Sequence, residues 1–181
     1  MNYYFSSDWH FRHYRMVKER GFGDVDEMDE CILDGINKTV SHNDKIYFLG
    51  DFTIGGDPEY YRNRIRCKNL VLIFGNHDKQ FRKGERWKRW FNEAYDAREI
   101  KIGDQYIYLH HYACRVWSKS HYGSFHCFGH SHHSLSDDPH ALSMDVGIDG
   151  DWGFRPISFD EVKAFMSRKA WKPIDHHEPR D

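Results

Sequence analysis

Residues 70–78 read Leu-Val-Leu-Ile-Phe-Gly-Asn-His-Asp. The first five are apolar, and such an unbroken run is typical of a central strand that is buried on both faces. Gly75-Asn76-His77-Asp78 then places an amide, an imidazole and a carboxylate in one turn. In open α/β sheets, sites are assembled in the loops beyond the carboxyl ends of the strands. This stretch therefore predicts a buried strand that delivers polar side chains to a site.

Four more clusters of metal-ligand residues occur along the chain. They are Asp8-Trp9-His10, Gly50-Asp51, His110-His111 and Gly129-His130-Ser131-His132. All but His110-His111 follow a predicted strand, at residues 2–7, 45–49 and 125–128 respectively. A carboxylate and an imidazole two residues apart suit a borderline metal such as Mn, Fe or Zn. One such motif is weak evidence, but all of them in this order at strand ends indicate a two-metal hydrolase.

Periodicity outside these clusters predicts the rest of the fold. Met28, Ile32, Ile36 and Val40 recur four residues apart, which favours an amphipathic helix over 25–40. The remaining patterns predict helices at 57–66, 80–92 and 158–168, a hairpin of strands at 100–102 and 106–109, and a strand at 142–146. Helices and strands alternate in the first half, and strands dominate the second. The chain is therefore predicted to form an α/β layered sandwich.

Composition limits the classes of function. The 181 residues fit one domain, which we place at 1–171, with a frayed tail at 172–181. The 26 Lys and Arg nearly balance the 28 Asp and Glu, so nucleic-acid binding is not indicated by overall charge. Four widely spaced cysteines favour a reduced cytoplasm, and we expect no membrane span or secretory leader. The 14 histidines point toward metal binding instead.

The ordered motifs resemble those of the calcineurin-like metallophosphoesterase superfamily. Its pattern is D-x-H, G-D, G-N-H-[DE], a lone His and G-H-x-H, and the matching residues span 2–132. The segment from Val146 to Ile157 also resembles the closing part of small members. The resemblance implies an α/β/β/α sandwich of two mixed sheets flanked by helices, and a pair of divalent transition-metal ions. We expect Mn, with Fe, Zn and Ni as alternatives.

The resemblance also implies a role for each residue. One metal would be bound by Asp8, His10, Asp51 and His132, and the other by Asp51, Asn76, His111 and His130. A hydroxide between the ions would attack phosphorus in line. His77 would contact the phosphate and protonate the leaving oxygen, oriented by Asp78, while Asn76 and His77 stabilise the transition-state charge.

Two features depart from a simple match. His110 and His111 are adjacent, and successive strand side chains point to opposite faces, so only one can face the metals. We favour His111 because the His111-Tyr112 pair resembles the family pattern. The first motif reads Asp8-Trp9-His10-Phe11-Arg12-His13, with Arg where Gly is usual. Arg12 and His13 are therefore candidate substrate contacts.

Other charged residues admit two interpretations. Arg115, with Lys119 and His121, is either a phosphate clamp or ordinary loop charge. The basic segment 82–91, which contains Trp87 and Trp90, is either a nucleic-acid patch or a helix with a solvated basic face, and we favour the helix. The remaining histidines are taken as non-ligands, with His133 the leading exception; they are His126, His133, His140, His176 and His177.

The expected function is hydrolysis of a small phosphodiester or phosphomonoester of nucleotide-like character, and we favour the phosphodiester because the chain leaves little room for a substrate-capping domain. The alternatives within enzymes are a nucleotide pyrophosphohydrolase and a protein phosphatase. A non-catalytic scaffold on the same fold is the alternative from another class. His77 argues against that scaffold, because the catalytic positions are kept.

Overall fold

The computed structural model describes residues 1–174. Residues 175–181, which include His176 and His177 of the expected tail, lie outside the described residues. The described part contains nine strands: β1 (Tyr3–Ser6), β2 (Lys45–Phe48), β3 (Asn69–Ile73), β4 (Glu93–Tyr95), β5 (Ala97–Ile102), β6 (Gln105–His110), β7 (Phe125–Phe128), β8 (Ser143–Asp145) and β9 (Ile157–Ser158). It also contains five α-helices: α1 (Tyr14–Glu19), α2 (Val25–Thr39), α3 (Pro58–Arg64), α4 (Lys79–Arg82) and α5 (Phe159–Met166).

The strands form two mixed sheets. The first has the order β4-β3-β2-β1-β9, with β1 to β4 parallel and β9 antiparallel to β1. The second has the order β5-β6-β7-β8, with an antiparallel β5-β6 hairpin followed by parallel pairs. Two mixed sheets flanked by helices confirm the predicted α/β sandwich.

The first sheet contributes one face to each of two hydrophobic clusters. Because side chains alternate along a strand, Leu70 and Leu72 of β3 pack on one side while Val71 and Ile73 pack on the other. The first cluster includes the apolar face of α2, and the second includes the inner face of the second sheet and α5. The fully apolar appearance of residues 70–74 thus reflects burial between layers.

Three short elements escaped the sequence patterns, and one predicted helix is broken. α1, β4 and β9 contain six, three and two residues, which is too short for a clear period. Residues 80–92 were predicted as one helix, but Gly84 and Glu85 adopt left-handed φ values of 60° and 52°. The segment consequently divides into α4 and a 3-10 helix at Lys83–Arg89. Among the helices of residues 1–174, none has the length and apolar character that a bilayer crossing requires.

Candidate metal centre

The five motif clusters converge at the carboxyl edge of the central strands. Asp8, Asp51 and Asn76 follow β1, β2 and β3 of the first sheet. His111 and the 129–132 motif follow β6 and β7 of the second sheet. The fourth cluster also lies at a strand end, contrary to the pattern read from the sequence, because β6 extends to His110. Both sheets therefore supply side chains to one place.

These side chains form two groups of possible metal donors, and within each group one donor atom from every residue lies within 4.8 Å of the others. The groups are Asp8, His10 and His132, and Asp51, His111 and His130. Asp51 lies between them, since its Oδ2 is 3.6 Å from His10 Nε2 and 3.5 Å from His111 Nε2. A carboxylate in this position is suited to bridge two ions.

Asn76 lies beside the second donor group, whereas His110 does not belong to it. Asn76 Oδ1 lies 3.0 Å from His111 Nε2 and 2.9 Å from His130 Nδ1. The His111 side chain is fully buried, and its Nδ1 lies 2.6 Å from the Leu49 carbonyl oxygen, which turns Nε2 toward Asp51. His110 Nδ1 instead lies 3.1 Å from the Tyr112 carbonyl oxygen. Of the two adjacent histidines, the structure thus places His111 in the site.

Buried donor atoms without partners show that the residues fit bound cations. Asp8 Oδ1 and both ring nitrogens of His10 are buried without a hydrogen-bond partner among residues 1–174. His10 Nε2 and Asp8 Oδ1 are 3.7 Å apart. Leaving a buried polar group unsatisfied costs about 1–3 kcal/mol. An ion bound between these atoms would remove that cost, and mixed imidazole and carboxylate donors suit divalent transition metals.

Backbone strain is concentrated at the same residues. Asp8, His10, Asp51, His130 and His132 have φ values of 58°, 50°, 64°, 68° and 47°. Non-glycine residues rarely adopt this left-handed region, and residues held there cluster at functional sites. The strained loops therefore bring five of the seven predicted ligands close together at the expense of local stability.

Two motif glycines allow the loops to approach each other. A Cβ atom on Gly75 would lie 2.2 Å from Asp51 Oδ1. A Cβ atom on Gly129 would lie 2.2 Å from Ser7 Oγ and 2.5 Å from Asp8 Oδ2. Any side chain at either position would displace a predicted ligand, which explains why glycine precedes the donor residue.

The electrostatics keep the two carboxylates ionised. Burial raises the pKa of Asp8 and Asp51, but contacts with imidazoles outweigh it, and both pKa values lie below the usual range. For Asp51 the strongest of these contacts is with His111. Burial lowers the pKa of His111, yet Asp51 more than compensates and raises it. A metal ion can therefore take the place of the proton that this carboxylate and imidazole hold between them.

Asp78 bonds through its carboxylate to backbone groups of two loops. It was expected to orient His77, but its carboxylate is fully buried and accepts hydrogen bonds from three backbone N–H groups, those of Asp51, Phe52 and Gly75, at 2.8–3.1 Å. These bonds occupy both oxygens and join the β2 and β3 loops. Asp78 therefore anchors the two loops, and its part in catalysis stays a prediction. Burial raises the pKa of Asp78.

His77 and His13 lie over the first donor group. The His77 side chain is exposed, its ring centroid is 5.5 Å from that of His10, and its backbone N–H donates to Asp51 Oδ1 at 2.9 Å. The His13 ring lies 5.2 Å from His10 and 6.5 Å from His77. Burial, with the nearby charges of His10 and His77, lowers the pKa of His13 to about 4. A neutral His13 can therefore face a substrate beside His77.

The other two predicted substrate contacts lie elsewhere. Arg12 has a φ of 63°, which explains why glycine is usual there, and its guanidinium pairs with Asp26. Arg115 is exposed and borders a cavity of about 720 Å³ that also touches His133 and Asp149. Neither guanidinium contacts a donor group among the described residues, so the structure does not bring Arg12 or Arg115 to the candidate site.

Hydrogen-bond or ion-pair partners are found for Lys119 and for the three described histidines that were predicted not to be ligands. Lys119 pairs with Glu99 at 2.5 Å. His126 is buried between the Tyr108 carbonyl oxygen and the Cys114 N–H, each 3.1 Å away. The others make backbone contacts: His133 Nε2 with Gly147 O at 3.0 Å, and His140 Nδ1 with Ala170 O at 2.8 Å.

Two residues that sequence reasoning missed support His132. Asp149 Oδ2 lies 2.6 Å from His132 Nδ1, and Arg20 donates to Asp149 at 2.7 and 3.0 Å. Arg20 also donates to the Asp8 carbonyl oxygen at 2.7 Å. Burial raises the pKa of Asp149, but His132 and Arg20 reverse this and lower it. Asp149 falls in the closing segment of the family resemblance, whereas Arg20 has no motif around it.

The fold and the donor groups together indicate the class of protein. Side chains of two metal-donor groups at the strand ends of a two-sheet sandwich are those expected of a metal-dependent phosphoesterase. The model of the calcineurin-like phosphoesterase superfamily domain matches residues 1–146, and the chain belongs to this superfamily. The family supports hydrolase activity with divalent metal ions.

Relatives of similar length accompany the family match. An uncharacterized protein of Methanocaldococcus jannaschii is 26% identical over 175 residues, covering 91% of both chains. The Gene 66 protein of Mycobacterium phage L5 is 27% identical over 195 residues, covering 89% of this chain and 92% of its own. A solved structure from Aquifex aeolicus, of a protein of unknown function, has a TM-score of 0.68 at 22% identity and covers 91% of this chain and 98% of its own. The solved structure supports the fold alone.

Proposed function

We propose that the protein is a dinuclear metal-dependent phosphoesterase that hydrolyses a nucleotide-like phosphodiester, with a phosphomonoester as the alternative. The observation that carries this proposal is the pair of donor groups on either side of Asp51, together with the unpartnered buried atoms of Asp8 and His10. When bound, two divalent ions would polarise the phosphate oxygens and lower the pKa of a water molecule. Mn is the first ion to test, followed by Fe, Zn and Ni.

The chain's own residues would position the substrate and move the proton. His77 reaches solvent above the site while its backbone is fixed on Asp51, so its imidazole can contact a phosphate and protonate the leaving oxygen. The Asn76 amide lies beside it and can donate a hydrogen bond to a phosphoryl oxygen. Asp78 holds the loops that carry Asp51 and Asn76.

The open surface of the site favours a diester. His77 and His130 are both exposed, and Asn76 between them is half-buried. A phosphodiester carries an organic group on each side of phosphorus, and this exposure leaves room for both groups.

We also propose that residues 1–171 act as a single domain, since the first sheet belongs to both hydrophobic clusters.

The test compares a chromogenic phosphodiester with the matching monoester. Chelator-stripped protein would be assayed with Mn, Zn, Ni or Mg added back, beside the variant His77→Ala. We expect metal-restored diesterase activity that the variant lacks while it still binds metal. Monoester preference would select the alternative substrate class. No turnover with any of these metals would contradict the proposal and favour a non-catalytic scaffold.

A further inference from the structure

A basic groove lies at the amino edge of the first sheet, opposite the candidate metal centre. Its volume is about 590 Å³, and it borders the residues that precede β2, β3 and β4. β3 has five residues, and at about 3.3 Å per residue the two edges are roughly 16 Å apart. The charged side chains of the lining are all potential cations, and no Asp or Glu is among them: His42, Arg62, Arg66, Lys68, Lys88 and Arg89.

This concentration of positive charge is unlike the rest of the chain. The whole sequence carries 26 basic and 28 acidic residues, with a net charge of -2. Lys88 pairs with Glu85 beside the groove. Within residues 1–174, no ion pair involves Arg66, Lys68 or Arg89. All three side chains are exposed. The groove therefore has a positive electrostatic potential that attracts anions, although the molecule as a whole is nearly neutral.

Arg62 provides a fixed positive charge within this groove. Its guanidinium donates to the carbonyl oxygens of Trp90, Ile65 and Lys68 at 2.7, 3.2 and 3.0 Å. None of these partners carries a negative charge, and burial lowers the pKa of Arg62. Arginine stays charged in proteins, and a buried charge is ordinarily paired. The three contacts use three of its five N–H donors, so an anion in the groove could receive the others.

The cations come from three chain segments that surround one concavity. Arg62 and Arg66 lie at the end of α3 and just beyond it, Lys68 precedes β3, and Lys88 and Arg89 end the 3-10 helix. A protein that binds an extended polyanion such as nucleic acid has a stripe of positive charge along the path of the polyanion. Here the charges converge, which fits a compact ligand with several negative charges. Guanidinium groups match phosphate oxygens in geometry as well as charge.

We propose that this groove binds a compact polyphosphate, such as inorganic triphosphate or the triphosphate group of a nucleotide, at a site separate from the metal centre. The test is calorimetric titration of the full chain with inorganic triphosphate in the presence of a chelator. Without ions, the carboxylates of the metal centre repel the probe, so binding there does not contribute. We expect saturable binding of one triphosphate per chain.

A charge-matched pair of variants locates the binding. The combined substitutions Arg66→Gln, Lys68→Gln and Arg89→Gln remove exposed charges without a structural partner, and we expect binding to weaken at least about tenfold. The control combines Lys101→Gln, Lys163→Gln and Arg168→Gln, which are exposed elsewhere and should bind as the wild type does. Absence of saturable binding, or equal weakening in both triple variants, would overturn the proposal. Tighter binding of a single-stranded oligonucleotide than of triphosphate would overturn the compact ligand.

Discussion

The two edges of the first sheet differ in charge, backbone geometry and hydrogen bonding. At the carboxyl edge, carboxylates and imidazoles meet, five of them on left-handed backbone, and some buried atoms have no partner. At the amino edge, cations surround a groove and Arg62 donates to three carbonyl oxygens. The same parallel strands support both edges. The comparison shows that the strands position the loops, while the loops at each end carry the side chains that determine the chemistry.

The strongest test of this contrast removes the shared carboxylate. Asp51→Asn should lose both ions and lower kcat by roughly a thousandfold or more, because several kcal/mol of transition-state stabilisation depend on the metals. Metal content by mass spectrometry and kcat on the diester measure the effect. Asp104→Asn, in an exposed turn, is the matched control. Full metal content in Asp51→Asn would refute the bridging role.

The next effect separates proton transfer from metal binding. His77→Ala should retain both ions and lose roughly a hundredfold to ten-thousandfold in kcat, as expected for loss of a general acid. His140→Ala removes an exposed ring that contacts the Ala170 carbonyl oxygen and belongs to neither donor group, so it should keep its activity. The assignment fails if His77→Ala turns over at the wild-type rate, or if its activity loss follows loss of metal.

A smaller effect is expected at the support of His132. Asp149→Asn weakens the bond that orients this imidazole, and such changes commonly lower metal affinity by about 10–100-fold. Only the ion of the group with Asp8 and His10 should be affected, and excess Mn should restore kcat. Manganese titration followed by electron paramagnetic resonance would measure both affinities. Equal weakening of both ions would show that the effect is not local.

The smallest predicted effect is on folding stability. It arises at His126 in β7, which belongs to neither edge of the first sheet. His126 is buried and its pKa is lowered to about 4 from 6.5, chiefly by burial. Between these values the unfolded chain binds a proton that the folded chain does not, so stability falls as pH falls from about 6.5 toward 4. From pH 7 to pH 5 this contribution is about 2 kcal/mol. Urea unfolding at both pH values should show a smaller loss in His126→Gln, and an identical loss would contradict the account.

Much of the metal centre was predictable because its residues occur in contiguous motifs at strand ends. The seven predicted ligands converge, although their identity as ligands remains a prediction. The backbone partners of Asp78 could not be predicted, because its carboxylate reaches N–H groups of another loop rather than a sequence neighbour. Arg20 could not be predicted, since its contact with Asp149 joins residues 129 positions apart.

The fold was predictable where an element was long or fully buried. α2 has a clear four-residue period, and β3 is apolar after Asn69, so both were located within a residue or two. β4 and β9 are too short to show alternation and form only by pairing with β3 and β1. The break at Gly84 and Glu85 depends on local backbone conformation that the aromatic and basic pattern does not reveal.

The most direct test of the central claim is anomalous diffraction from crystals of the protein soaked with Mn. The account predicts two peaks on either side of Asp51, one contacted by Asp8, His10 and His132 and the other by His111, His130 and Asn76. A single peak, or peaks outside these two groups, would contradict a dinuclear centre at the carboxyl edge of the sheet.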